Sequence, residues 1–268
     1  MPTDKQRRQA AQRHLQKQLE RRAEQTQRRR RNLGILATVV SVLVVLGAVL
    51  LLTGVFSGDP DDTSAAETPQ APGTAGCTYT PDDTGNPNLT DVGTPPDPGS
   101  TPATGTSTLL MSTGQGDLTL TLDRKLAPCA AASFSYLAAE KFFDGSSCHR
   151  MVNGESFGVL QCGDPSGTGQ GGPTYKFAEE VTPETTYPRG TIAMAKSGAP
   201  NSTGSQFFLV FADAQLSPDY TVVGTVDEAG LTVLDQIAAA GNDGSMEPSP
   251  GGGKPNVPVV IESLTVVS

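Results

Sequence analysis

The feature that most constrains this chain is an unbroken apolar run, Leu33 to Phe56 (LGILATVVSVLVVLGAVLLLTGVF), without a single charged residue. Crossing the roughly 30 Å hydrocarbon core of a bilayer takes about 20 consecutive apolar residues in a helix. A helix of a soluble core would rarely stay apolar on every face over this length. A cleaved secretory signal has an apolar stretch of about 7–15 residues before a small-residue cleavage site. The run here is longer, and the basic segment before it is long as well. It predicts an uncleaved transmembrane helix over 33–56.

The charge distribution orients that helix. Residues 1–32 hold eleven Lys/Arg against Asp4, Glu20 and Glu24, while the rest of the chain holds eight Lys/Arg against twenty-five Asp/Glu. Arg28 to Arg31 abut the apolar run on one side, and Ser57-Gly58-Asp59-Pro60-Asp61-Asp62 follows it on the other. The positive-inside rule keeps the 1–32 arm in the cytoplasm and sends the chain from residue 57 onward out of it, as a single-pass protein of the cell membrane. Attraction to anionic lipid beside the span accounts for the basic arm, so the bilayer is the expected partner of 33–56 and no nucleic acid is expected.

Residues 57–105 are dense in Pro, Gly, Thr, Ser and Asp and poor in large apolar side chains. This composition buries too little surface to offset the entropy of ordering, and predicts a flexible extracytoplasmic stalk. Cys77 and Tyr79 interrupt it and point to contact between its middle and a folded domain. From residue 106 the pattern changes. Ser107–Met111 and Asp117–Leu122 read as strands joined by a turn at Thr113-Gly114-Gln115-Gly116. Pro128–Lys141 reads as a helix with Pro at its start and Phe134, Leu137 and Ala138 on one face. Ala229–Ala240 reads as a second helix closed by Gly241, and Val257–Val267 as a final strand. Many short strands with two helices imply a mainly β domain over 106–268, a closed or nearly closed barrel covered by helices.

The only histidines are His14, in the arm, and His149. No His/Cys/Asp spacing suits a metal ion, and no nucleophile–base pair can be assembled from these two, so hydrolytic chemistry is disfavoured and no metal is expected.

Three stretches narrow the reading further. Cys148-His149-Arg150-Met151-Val152, followed by Val159-Leu160-Gln161-Cys162-Gly163-Asp164, resembles the cyclophilin pattern of an aromatic, His, Arg and apolar residues and then Gln-Gly-Gly-Asp. Gly167 to Gly172 (GTGQGG) resembles the glycine loop that follows it. Gly190 to Leu209 (GTIAMAKSGAPNSTGSQFFL) resembles the segment in which Ser-Met-Ala-Asn precedes Asn-Gly-Ser-Gln-Phe-Phe. The resemblance runs from around residue 110 to the C-terminus. It implies an eight-stranded β-barrel capped by two α-helices and cofactor-free peptidyl-prolyl cis-trans isomerase activity. The expected partners are proline-containing polypeptides outside the cytoplasm.

Site residues follow from the same resemblance. It places the family's catalytic Arg at Arg150, which as a bare residue also reads as a surface cation paired with one of many carboxylates. Gln161 matches the Gln that orients that Arg and contacts substrate. Phe208 matches the floor of the proline pocket, and Met194 and Leu216 match apolar positions in or beside it. Ala195, Lys196 and Gln206 match positions that hold the peptide backbone N-terminal to the proline, and Val159 joins the substrate-binding set. His149 neighbours Arg150 on a strand, so its side chain should point to the opposite face.

This sequence also departs from the family pattern. It has no Trp, and Gln215 stands where many cyclophilins carry the Trp that contacts cyclosporin. Tyr220 replaces the usual pocket His, and Lys196 the usual Asn. The loop from Asn153 to Gly158 is longer than the short family version, so Phe157 and Gly158 compete for the pocket-wall position. The four cysteines all fall on the predicted outer side, where an even number favours disulfides over free thiols. The hairpin implied by the resemblance would let Cys148 face Cys162, which leaves Cys77 with Cys129. A catalytic domain and a proline-peptide-binding module with little turnover are both compatible with these motifs.

Overall fold

The computed structural model describes residues 72–154 and 157–268. The arm and the apolar run 33–56 lie outside the described residues, and among the described residues no helix is long and apolar enough to cross a membrane.

Eight strands form one antiparallel sheet: β1 (Thr106–Thr113), β2 (Gly116–Asp123), β3 (Arg150–Gly154), β4 (Phe157–Cys162), β5 (Thr191–Lys196), β6 (Thr203–Ala212), β7 (Val222–Val226) and β8 (Ile261–Val266). Their order across the sheet is β8-β1-β2-β7-β5-β6-β4-β3. The sheet curls until its edges meet. Ser147, just before β3, and Met151, within it, bridge to Val260 and Gly253 in the chain that leads into β8, rather than forming a full ladder. Cys148 N–H donates to the Val259 carbonyl at 2.8 Å across this seam.

Strict alternation along the strands sorts residues into two apolar clusters. Leu109, Met111, Leu118, Leu120, Leu160, Ile192, Met194, Phe207 and Leu209 point into the curl and build the main core. Val159, Ala193, Phe208 and Val210 point outward and build a second, smaller cluster with Tyr187 and Ala214. The first core is closed by two helices, α1 (Pro128–Ala139), which contacts β8, and α2 (Glu228–Ala240), which contacts β2. Pro128 starts α1 without a side-chain cap of its own. Glu180 supplies one, its carboxylate accepting the Cys129 and Ala130 N–H groups at 3.0 and 2.8 Å, which satisfies donors that have no partner inside the helix. Asp227 caps α2 by accepting from Gly230 N–H.

The expected flexible stalk is corrected over 72–105, which folds onto the domain. Cys77 is bonded to Cys129 and Cys148 to Cys162. Tyr79 sets its ring edge against Tyr175 and Phe177 at 5.3 and 5.5 Å and donates to the Cys129 carbonyl. Thr80–Pro81 pairs with Tyr175–Lys176, and Leu89–Thr90 pairs with Gly172–Pro173. The segment is ordered by a crosslink, one aromatic anchor and backbone hydrogen bonds borrowed from the domain, none of which requires many apolar residues.

Candidate active-site groove

One row of residues crosses the outer face of five strands. Arg150 lies opposite Gln161, Gln161 opposite Phe208, Phe208 opposite Ala193, and Ala193 opposite Val222. Residues paired this way share a face, so strand register alone brings the guanidinium, the amide and the aromatic ring side by side. They border a groove of about 670 Å³, walled by Phe157, Val159, Phe208, Leu216 and Tyr220, with Ala195 and Lys196 at one end.

Arg150 is fixed from three directions. Its Nη1 donates to Gln161 Oε1 at 3.2 Å, its Nε to the Gly251 carbonyl at 3.0 Å and its Nη2 to the Pro250 carbonyl at 2.7 Å. These contacts among the described residues use three of five N–H donors and leave two. Partial burial lowers the guanidinium's pKa from its ordinary value, which lies so far above neutrality that the group stays charged. The orientation is carried onward: Gln161 Nε2 donates to Gln206 Oε1 at 2.9 Å, and Gln206 Nε2 donates to the carbonyls of Gly169 and Gly171. The glycine loop is in turn gathered by Asp164, fully buried. It accepts from the Ser166 hydroxyl and the N–H groups of Ser166 and Gly169. Burial pushes this carboxyl up, but its hydrogen bonds from Ser166, Gly171 and Gly169 outweigh that and hold it below its usual value. A Cβ on Gly171 would meet Asp164 Oδ1 at 2.0 Å, so only glycine fits there.

The apolar floor is an aromatic stack. Phe208 meets Tyr220 edge-on at 5.5 Å, and buried Tyr187 lies 6.3 Å from Phe208. Tyr187 Oη accepts from Tyr220 N–H at 2.9 Å and donates to the Tyr220 carbonyl at 3.0 Å, tying the Tyr220 loop to the sheet.

Most expected site residues meet here. Arg150, Gln161, Phe157, Val159, Ala195, Lys196, Phe208, Leu216 and Tyr220 all line the groove, and Gln206 stands behind Gln161. Met194 is the correction. It is 1% exposed and points into the main core, because alternation turns it away from the face that Ala193 and Ala195 share. Between the competing wall residues, Phe157 lines the groove, while Gly158 faces inward where a Cβ would strike Ala212 and Phe211 within 2.7 Å. His149 is 5% exposed yet also lines the groove. Three residues that sequence reasoning missed are Tyr187, Met246 and Pro250. The latter two join the groove from the loop after α2, whose run Met-Glu-Pro-Ser-Pro was the only signal that it was more than a linker.

A curled β-sheet with two capping helices and a fixed Arg–Gln–Phe row over an apolar groove defines the cyclophilin class. The family model described as cyclophilin type peptidyl-prolyl cis-trans isomerase/CLD matches residues 108–266, more than half of the chain, and the chain belongs to that family. It is 44% identical over 183 residues to a probable peptidyl-prolyl cis-trans isomerase B of Mycobacterium leprae, covering 63% of this chain and 60% of that protein. A protein of the same description from Mycobacterium tuberculosis is 45% identical over 166 residues, covering 58% of this chain and 52% of the relative. The matches thus span little more than half of these relatives. Among solved structures, a Cryptosporidium parvum cyclophilin type peptidyl-prolyl cis-trans isomerase, crystallised in the presence of the dipeptide Ala-Pro, superimposes with a TM-score of 0.52 at 29% identity, over 60% of this chain and 99% of that one.

Proposed function

We propose that this chain is a membrane-anchored peptidyl-prolyl cis-trans isomerase that acts, without a cofactor, on X–Pro bonds of secreted or envelope polypeptides. The observation that carries the reading is the pairing of a rigid, always-charged guanidinium with an apolar floor in one groove. An X–Pro bond turns over in tens to hundreds of seconds unaided, because the nitrogen lone pair is delocalised into the carbonyl. Rotation localises that pair on nitrogen. The two remaining N–H donors of Arg150 suit the twisted amide better than the planar one, and partial burial strengthens the interaction. Phe208, Leu216 and Tyr220 suit the proline ring. Gln161 keeps the guanidinium aimed, and Lys196 and Ala195 border the path of the preceding residues. No bond to the enzyme forms or breaks.

The test compares the full chain in detergent with Arg150→Ala on an X–Pro peptide, with peptide binding measured alongside. A loss of about 10²–10³ in kcat/KM with binding retained supports catalysis, the scale expected for removing one preorganised donor. Equal rates with binding retained would leave a proline-peptide-binding module, the reading that Tyr220 and the missing Trp favour.

A further inference from the structure

The loop after α2 does more than border the groove with Met246 and Pro250. Its backbone is closed on itself and on β3. Met246 N–H donates to the Gly252 carbonyl and Gly251 N–H to the Met246 carbonyl, each at 3.0 Å. Met151, the residue after Arg150, exchanges both backbone hydrogen bonds with Gly253, at 2.7 and 3.0 Å. Backbone contacts therefore set the Gly251–Gly252 peptide beside the guanidinium. Both of its residues need glycine: φ is +96° at Gly251 and +74° at Gly252, and a Cβ on Gly252 would meet the Met151 carbonyl oxygen at 2.1 Å.

That peptide stands between two charges. Its carbonyl accepts from Arg150 Nε at 3.0 Å. Its N–H, on the opposite side of a planar trans unit, donates to Glu247 Oε1 at 2.6 Å. Carboxylate, peptide dipole and guanidinium are thus linked in series, each positive end turned to a negative one. Hydrogen bonds to charged groups are stronger than neutral ones, and bonds in a chain polarise one another. Among the described residues no carboxylate forms an ion pair with Arg150. Burial works against its charge, and Tyr220 and Glu247 work for it. A carboxylate in direct contact would take up N–H donors that the twisted amide needs. Acting through a peptide, Glu247 supplies its charge and leaves those donors open.

We propose that Glu247 is a positioning residue for Arg150, which it aims through the Gly251–Gly252 peptide without occupying the donors that act on substrate. This rests on the isomerase reading of the groove. The loop keeps its shape through its backbone bonds, so what Glu247 adds is charge. Its loss weakens the Nε contact, lets the guanidinium swing, and leaves the apolar floor that binds proline untouched.

The test uses the full chain in detergent with Glu247→Gln, which keeps the length and an acceptor oxygen of this exposed side chain and removes its charge. On an X–Pro peptide, kcat should fall about threefold with KM little changed, the difference between a charged and a neutral acceptor at one hydrogen bond. Glu247→Ala, which removes the acceptor as well, should lower kcat about tenfold. The nitrogen-edited NMR signal of Arg150 Nε–H, assigned by its loss in Arg150→Ala, should move upfield in Glu247→Gln and exchange faster with water. In the Arg150→Ala background, Glu247→Gln should change neither kcat nor KM. A residue that only shaped the groove wall would weaken peptide binding and would act in both backgrounds. Unchanged kcat, a loss carried by KM, or an equal loss with and without Arg150 would overturn the proposal. If the wild type binds peptide but does not turn it over, the isomerase reading fails. The Nε–H signal, read without substrate, still decides the link: a shift upholds it and an unchanged signal overturns it.

Discussion

Arg150 is held through Nε and Nη2 by two carbonyls of the loop after α2, and through Nη1 by an amide that is itself held by Gln206. Each link is an ordinary hydrogen bond, worth about 1 kcal/mol net, and together they leave the guanidinium one orientation. The same logic makes Tyr187 a positioning residue for Tyr220. Tyr187→Phe removes the Oη that pins the Tyr220 backbone, so KM for an X–Pro peptide should rise about fivefold, the equivalent of one hydrogen bond, with kcat little changed. A fall in kcat at constant KM would contradict that role. His149 gives the pH dependence. Burial lowers its pKa; Asp164 partly offsets this and Arg150 adds to it. The unfolded chain then takes up a proton below about pH 6.5 that the folded one refuses, so stability is present above that value and drains away as pH falls through the lowered folded value. Between pH 7 and 5 the urea midpoint of the wild type should fall relative to that of His149→Gln, a comparison that cancels the opposite contribution of Glu180, whose burial raises its pKa. Gln215 is exposed and does not border the groove; with Gln in place of the family's Trp, weak cyclosporin inhibition is expected, and nanomolar inhibition in a proline-isomerisation assay would refute this. At this scale the motifs that carry the resemblance named Arg150, Gln161 and Phe208, and the register of β3, β4 and β6 sets the three side by side. Met194 was misplaced because a motif match carries no parity, and strand parity decides which neighbour faces the groove. Tyr187, Met246 and Pro250 were invisible because they reach the site through loops whose path no local pattern encodes.

Strands and helices were legible to within a few residues where alternation or a cap marked them. Asp117–Leu122 became Gly116–Asp123, and Ala229–Ala240 became Glu228–Ala240. The segment 72–105 was not, because composition measures only the apolar surface a stretch carries, and this one is ordered by Cys77, Tyr79 and borrowed backbone pairing. In the chain-entropy account, a crosslink closing a 52-residue separation stabilises by about 4 kcal/mol. Replacing Cys77 and Cys129 together with Ser should therefore lower unfolding stability by about 2–4 kcal/mol and release the segment to proteolysis near Asn86. An unchanged denaturation midpoint and an uncut segment would show that Tyr79 and strand pairing suffice. The loop after α2 belongs to the same class of element: Met246→Ala should raise KM without disturbing fold, because it removes groove wall rather than core.

The molecule as a whole joins this domain to an apolar run and a basic arm that only the sequence describes. Length and charge asymmetry argue for an anchor with the groove outside the cytoplasm. Full-length protein should resist carbonate extraction from membranes and expose residues 72–268 to protease added from outside, and recovery in the soluble fraction would defeat that topology. The fold, by contrast, follows from pattern and register, and the groove lies where alternation leaves an apolar face uncovered. The central claim is that Arg150 speeds rotation about a bound X–Pro bond. Exchange NMR on an X–Pro peptide bound by the full chain reads that rotation directly. Cis-trans interconversion on the bound peptide should be many times faster than in free solution and slowed about a hundredfold or more by Arg150→Ala. Equal interconversion rates in the two proteins, with the peptide still bound, would contradict it.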